Sequence, residues 1–295
     1  MEFRQLEVFA AIAETGSFSK AADYLYLTQS TISSHMKNLE KELQKDLIIR
    51  STRNIRLTEE GETFLFYVKR ILDMKDTALQ AINSPYETIL HIGASSIPSA
   101  YLLPEITSSF RKSHAHVTFD IRQSDSTSII NGVMDGSIEL GLVGQKATSP
   151  KCASIPFCSD ELVIATPNTP YFQKMQSRFC SIDELLKEPL ILREQGSGTQ
   201  KAAEDFLSSQ GYKIQDLNIA ARINDLEAIR QMVVSGMGIS IFSNLAVKSL
   251  EKHGECLLFH FPNGSRRQFY LTYLNDRNHK PALKEFEKFV LDFYK

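Results

Sequence analysis

A chain of 295 residues with 42% apolar and 23% charged side chains is long enough for two or three compact units and has ordinary globular chemistry. A net charge of -2 excludes binding to nucleic acid through a whole-protein positive field, although a local basic patch stays open. No signal peptide and no apolar run long enough to span a bilayer appears, so a cytoplasmic location without membrane contact is expected.

Leu6, Phe9, Ala10 and Ala13 give a first helix an apolar stripe. A second helix is expected from Ser19 to Leu25, with Ser17 or Ser19 as its N-cap and Ala21, Ala22 and Leu25 facing inward. Thr28 caps a third, whose apolar residues Ile32, Met36, Leu39 and Leu43 recur at four, three and four residues and so share one face. Its opposite face carries Gln29, Ser30, Thr31, Ser33, Ser34 and Lys37, short polar groups able to enter a major groove about 12 Å wide. This is the layout of a helix-turn-helix that reads DNA; an amphipathic hairpin with a merely solvated polar face fits the flanking segments less well. LIIRSTRNIRLT then alternates into two short strands around Ser51 to Asn54, a wing. Arg53, nearest the tip, is placed to reach a minor groove or its phosphates, whereas Arg50 could equally pack under the wing. The residues expected to meet DNA are therefore Ser17, Lys20, Thr28, Gln29, Ser30, Thr31, Ser33, Ser34, Lys37 and Arg53. Residues 1–58 hold eight Lys and Arg against seven Asp and Glu, so binding should use a local patch with moderate salt dependence.

From Glu59 to about Ile82 one long helix is expected. Leu65, Val68, Leu72, Lys75, Leu79 and Ile82 fall on alternating three and four spacings, with Phe64, Ile71 and Ala78 widening the stripe. It either packs on its own domain or pairs with its copy in a second subunit, and its length favours pairing. Asn83, Ser84 and Pro85 break it and mark a hinge.

Beyond Thr88 strand and helix patterns alternate, which predicts an α/β region with mostly parallel sheets. ILHIGA, VTFDIR and ELGLVG are strands, and Pro98 to Lys112 and Ser126 to Met134 are helices. A second series follows Asp160: LVIATP, SIDELL, PLILRE, GTQKAAEDFLSSQG, LNIAARI, DLEAIRQMVVSG and GISIFS. QFYLTYL and a helix bearing Leu283, Phe286, Val290 and Phe293 return to the first lobe. The expected division is 1–58 for the winged head, 59–84 for the linker helix and 85–295 for a two-lobed domain, with lobe I at about 88–160 and 268–295 and lobe II at about 161–267.

A ligand would sit between the lobes, where strand ends meet helix starts. Ser95, Ser96 and Ile97 in GASSIPSAYLLP occupy one such junction, and Ser197, Gly198 and Thr199 in REQGSGTQ the equivalent one in the second lobe. Gln145 and Arg193 are placed to complete the ring. Each hydroxyl alone is better explained by helix capping, and two such caps facing across one cleft bring the ligand reading level with it. Asp125 and Glu194 lie nearby, suited to capping or to orienting Arg193. The seven histidines form no metal spacing and none lies in these loops, so an enzyme on the same lobes is disfavoured and neither metal nor cofactor is expected. Cys152, Cys158, Cys180 and Cys256 show no zinc-ligand spacing; Cys152 and Cys158 are either semi-buried strand residues or a thiol sensor.

The segments MEFRQLEVFAAIAETGSFSKAAD, LTQSTISSHMKNLEKEL and the wing ending in RLTEEG resemble the N-terminal domain of the LysR-type transcriptional regulators. The remainder fits that family's effector-binding domain in order and length. Ile49 stands where the family usually has Phe, and Glu60 where a small residue is common before Gly61; neither lies on the reading face. The resemblance implies an N-terminal winged helix-turn-helix, a C-terminal domain like periplasmic solute-binding proteins, promoter DNA and RNA polymerase as partners, and a homotetramer of two dimers on one bent site. It places Ser95, Ile97 and Thr199 on effector-binding loops, and peroxide-responsive relatives motivate the thiol-sensor alternative. SSIPSAYLLP and REQGSGTQ look most like members tied to sulfur, selenium or carbon-fixation metabolism, which favours a small oxyanion or short carboxylate as effector. A free-standing solute-binding protein would lack residues 1–60.

Overall fold

The computed structural model describes residues 1–50, 55–83, 88–261, 265–275 and 280–294. They form two compact units, Met1–Thr88 with Asp135–Ser137, and Ile89–Met134 with Ile138–Lys295. The expected hinge residues Ser84 and Pro85 and the wing-tip Arg53 lie outside the described residues, as does the side chain of Arg50.

In the first unit α1 (Phe3–Thr15), α2 (Phe18–Leu25) and α3 (Gln29–Leu43) are followed by strands β1 (Ile48–Arg50) and β2 (Ile55–Leu57) and by α4 (Glu59–Asn83). Ser17, not Ser19, caps α2 by accepting from the Lys20 N–H, and Thr28 caps α3 by accepting from that of Thr31. Leu6, Val8, Phe9 and Ile12 of α1 meet Ala21 and Ala22 of α2 and Ile32, Met36 and Leu39 of α3 in one buried core. Each such large apolar side chain contributes about 1.5–3 kcal/mol. The expected stripe on α1 is widened: Leu6 and Phe9 are buried as expected, Val8, Ala11 and Ile12 are buried with them, and Ala10 and Ala13 are half-buried. The reason is that α2, α3 and α4 all pack on α1, so its apolar arc is wider than one partner would require. The wing strands pair antiparallel, Ile48 opposite Leu57 and Arg50 opposite Ile55. Gly61 is demanded by a close approach, since an added Cβ would come 2.1 Å from the Leu47 carbonyl oxygen.

The linker helix has the expected span but divides its stripe. Val68 is buried, and Phe64, Leu65, Ile71 and Leu72 pack against the core of their own head; Phe64 lies 5.6 Å from Phe9, centroid to centroid. Lys75, placed on the seam by its spacing, instead holds the Glu7 carboxylate at 2.6 Å. Farther along, Met74 (68%) and Leu79 (49%) are exposed. The idea that the whole stripe is a subunit seam is therefore corrected for its first half.

The second unit continues with β3 (Thr88–Ser95), a π-helical turn (Pro98–Leu102), α5 (Leu103–Arg111), β4 (Val117–Ser124), α6 (Ser126–Asp135), β5 (Leu140–Val143), β6 (Cys152–Pro167), α7 (Pro170–Ser177), α8 (Ile182–Leu185) and β7 (Leu190–Arg193). Then come α9 (Gly198–Ser209), β8 (Ile219–Ile223), α10 (Leu226–Val234), β9 (Ser240–Ser243), α11 (Asn244–Lys252), β10 (Cys256–His260), β11 (Arg266–Leu274) and α12 (Pro281–Phe293). The single helix expected from Pro98 begins as a π turn. β3 and β5 run parallel, as do β7 and β8. The expectation of mostly parallel sheets fails between them: β6 pairs antiparallel with β9, β10 and β11, and β11 antiparallel with β5. This follows because β6 is one continuous 16-residue strand serving both lobes. Residues 152–161 pair with β11, and residues 162–167 pair with β9 and β10. At the change of partner the Leu162 N–H donates to the Ser265 carbonyl at 3.0 Å and the Ser265 hydroxyl donates to the Leu162 carbonyl at 2.7 Å, which clasps the two chain crossings together.

Candidate functional site

On α3 the residues at 29, 33 and 37 and at 30 and 34 follow spacings of four and lie on one helix face. Gln29, Ser30, Ser34 and Lys37 are exposed, and Thr31 and Ser33 are half-buried. The hydroxyls of Ser30 and Thr31 lie 2.9 and 2.8 Å from that of Thr28, a polar cluster at the positive end of the helix, whose first turn carries no acid. Ser17 and Lys20 start α2, with Lys20 exposed. Ile49 is exposed beside Arg56 on the outer face of the wing, so the departure from Phe leaves no hole in the core. Glu60 pairs with Lys45 at 3.0 Å at the surface.

In the second unit Ser95, Ser96 and Ile97 from the first lobe and Arg193, Ser197, Gly198 and Thr199 from the second meet around one small pocket, as expected. Arg193 ends β7 with a side chain only 4% exposed. It grips Glu194 with two nitrogens, Nε at 2.8 Å and Nη2 at 2.9 Å, and Nη2 also donates to the Ser96 hydroxyl at 3.0 Å across the lobes. The sequence reading missed the second cation. Arg267, on β11, donates from Nε to Asp160 at 2.8 Å and from Nη1 to the Thr199 hydroxyl at 3.0 Å. Asp160 faces it directly in the β6–β11 register. Its signal was available: the strand buries alternate positions and Arg267 falls on the inward phase with Phe269 and Leu271.

Each guanidinium keeps one buried nitrogen, Nη1 of Arg193 and Nη2 of Arg267, without a hydrogen-bond partner among the described residues. Burial pushes the Arg267 pKa down, Asp160 holds it up, and the nearby Arg193 charge lowers it further. Asp125 at the rim is raised by burial but pulled lower overall by hydrogen bonds from the Ser128 hydroxyl and the Ser128 and Thr127 N–H groups. Ser197 caps α9. Gln145 is not in this ring: its amide donates to the Thr127 hydroxyl at 3.0 Å and it lines an outer groove instead.

Cys152 and Cys158 lie on the one strand β6, six residues and so about 20 Å apart, well beyond the ~7 Å Cα limit of a disulfide. Burial raises both thiols. A sensor disulfide between them is thereby removed. Among the described residues no cluster of three or more His, Cys, Asp or Glu could hold a metal, and no helix is long and apolar enough to cross a membrane.

A DNA-reading head joined to a two-lobed binding domain defines a ligand-responsive transcriptional regulator. Residues 3–62 match the pattern of the bacterial regulatory helix-turn-helix proteins of the lysR family, and residues 84–295 that of the LysR substrate binding domain. An uncharacterized HTH-type transcriptional regulator of Methanocaldococcus jannaschii is 31% identical over 288 residues, 96% of each chain. The RuBisCO operon transcriptional regulator of Allochromatium vinosum is 29% identical over 296 residues, 99% of this chain and 96% of that one. The structure of CbnR, a LysR family transcriptional regulator, shares the fold with a TM-score of 0.71 at 21% identity, covering 100% of both chains. The protein belongs to the LysR family of DNA-binding transcriptional regulators and carries that family's substrate-binding domain.

Proposed function

We propose that an anionic small molecule, held by its oxyanion or carboxylate between the lobes, controls how this regulator engages promoter DNA. One observation carries the reading: two buried guanidinium groups from different strands line one pocket, each with an unpartnered nitrogen. A buried donor without an acceptor costs about 1–3 kcal/mol, which an anionic oxygen placed between them would relieve. Both cations already have a carboxylate, Glu194 and Asp160, so the lobes can stay closed without a ligand. An anion reaching Arg193, Ser96 and Thr199 touches both lobes, the condition for its binding to favour one arrangement over another.

The reading includes a second copy of the chain along the exposed part of α4, two such dimers on one bent site, a contact with RNA polymerase and a cytoplasmic location. The likeness to a RuBisCO operon transcriptional regulator supports carbon-fixation genes as one of the expected classes of target. The test is calorimetry on the full chain with sulfate, sulfite, selenite, phosphate and short carboxylates, followed by gel shifts on the DNA upstream of its own gene. An anion that binds the parent and changes operator affinity supports the reading; binding that persists unchanged in Thr199→Val places the effector elsewhere.

A further inference from the structure

The first three helices of the head each end on a residue in the left-handed backbone region: Gly16 after α1 (φ 63°), Tyr26 after α2 (φ 55°) and Gln44 after α3 (φ 53°). At Tyr26 the stop is a full Schellman turn, in which the Leu27 N–H donates to the Ala22 carbonyl at 2.9 Å and the Tyr26 N–H to that of Asp23 at 3.3 Å. Such a turn favours glycine, because a Cβ at positive φ crowds the following carbonyl oxygen. α1 has its glycine there; α2 has a tyrosine.

The ring gives the head almost nothing in return. Tyr26 is 96% exposed, more than any other large apolar side chain among the described residues, and Tyr24 is 65% exposed. Leu25 and Leu27, by contrast, pack against the core of the head. The turn thus sends its leucines inward and its tyrosines out. Backbone strain that burial does not offset is found where a residue acts on something outside its own fold.

The place of Tyr26 says what that is. It stands two residues before the Thr28 cap and three before Gln29, and residues 26, 28, 29 and 30 are all exposed, so its surface continues into the polar face of α3. In a helix-turn-helix the first residues of the second helix meet base edges. The turn that delivers that helix therefore stands over the edge of the groove, where sugars and phosphates run. Gln44 closes the opposite end of a 15-residue helix, about 22 Å away, with a polar side chain that water accommodates.

We infer that Tyr26 is a DNA-backbone contact, with its ring along the sugar edge and its phenolic O–H donating to a phosphate oxygen beside the bases that Gln29 and Ser30 meet. This rests on α3 as the reading helix and adds a residue to its side of the duplex. A phosphate contact fixes register and orientation and carries no sequence information of its own. A phenol O–H, unlike an ammonium group, brings no charge to the phosphate and displaces no counterion. Its loss should therefore weaken every sequence alike and leave the salt slope untouched.

The test is fluorescence anisotropy of the full chain on two labelled duplexes of equal length, one from upstream of its own gene and one of unrelated sequence, at several salt concentrations, with thermal unfolding alongside. Tyr26→Phe and Tyr26→Gly should each bind both duplexes about fivefold or more weakly, the loss of one hydrogen bond to a charged acceptor, at the parent's salt slope. Tyr26→Gly should melt no lower than the parent, since glycine takes the left-handed turn without strain. Gln44→Gly makes the same backbone change at the far end of α3 and should bind as the parent does. Unchanged binding in both Tyr26 variants, a loss confined to one duplex, a flatter salt slope, a lower melting temperature in Tyr26→Gly or an equal loss in Gln44→Gly overturns the inference. Lys37→Ala separates it from the reading beneath it: weaker binding there beside unchanged Tyr26 variants leaves α3 as the reading helix, and unchanged binding in all three removes both.

Discussion

Replacing Arg267 by Met removes the partner of a carboxylate that has no other escape from the interior. The Asp160 side chain is 1% exposed and that of Arg267 6%, and they face each other in register at 2.8 Å. Breaking a buried pair from one side costs about 3–5 kcal/mol, since the remaining charge is left without compensation. At roughly 2–4 °C per kcal/mol for a domain of this size, the substrate-binding domain should melt about 6–20 °C lower. Adding Asp160→Leu should recover most of the loss, because a buried pair itself contributes little once desolvation is counted. Scanning calorimetry of the full chain at neutral pH reads all three proteins. Anion binding should be lost in both variants, including the double variant whose stability recovers, which separates the site from the scaffold. If the single variant melts with the parent, or the double variant melts below the single, the ion-pair argument is wrong.

Four further outcomes follow from the geometry. Gln29→Ala should cost about 1–3 kcal/mol at one operator position and relax specificity there, while Lys37→Ala should weaken all sequences alike and flatten the salt slope; binding assays over operator variants at several salt concentrations would show it, and an unchanged preference in Gln29→Ala would remove α3 from the base-reading role. Leu79→Glu changes an exposed residue of α4, so the monomer should fold as before while sedimentation shows dissociation and weaker operator binding; Leu72, which packs in its own head, cannot make that test cleanly. Thr199→Val keeps shape but removes the hydroxyl that accepts from Arg267, and should weaken anion binding by about 1–3 kcal/mol in calorimetry with little change in DNA affinity without ligand. Finally, the hydrogen bonds from Lys75 and Arg4 hold the Glu7 pKa below its ordinary 4.5, so their stabilisation is full above that value and is lost as pH falls through the lowered folded pKa; urea midpoints from about pH 6 to about pH 3 should fall less steeply in Lys75→Met than in the parent.

The head was almost wholly legible in the sequence. A winged helix-turn-helix is built from contacts close along the chain: caps at Ser17 and Thr28, a four-three-four apolar spacing on α3, and two neighbouring strands that pair antiparallel. The reading face is whatever the apolar face leaves over, so Gln29, Ser30, Ser34 and Lys37 could be placed outside without knowing the fold. The wing strands and the span of α4 followed the same local rules. What α4 packs against did not, because a stripe at helical spacing reports that a face is covered and not by whom. Leu72 and Lys75 proved to belong to the head's own core and to Glu7.

In the second unit the sequence by itself determined the junctions that line the pocket, since a hydroxyl after a strand and before a helix is a local signature. Ser95, Ser96, Ile97 and the Ser197–Thr199 turn meet where expected. Only the tertiary structure decided which distant residues join them. Arg267 lies 68 residues from Thr199 and 107 from Asp160, yet the β6–β11 register sets it opposite Asp160 and the start of α9 brings the Thr199 hydroxyl to it. Pairing register depends on the total burial of two strands far apart in the chain, a quantity no window of sequence contains. The strand β10 went unread for a related reason: a five-residue strand at the edge of a sheet is held by its neighbour β6 more than by a pattern of its own. The chain therefore carries the polar face of α3 in local order and the pocket in long-range order, where two buried guanidinium groups meet only after the lobes have folded around β6.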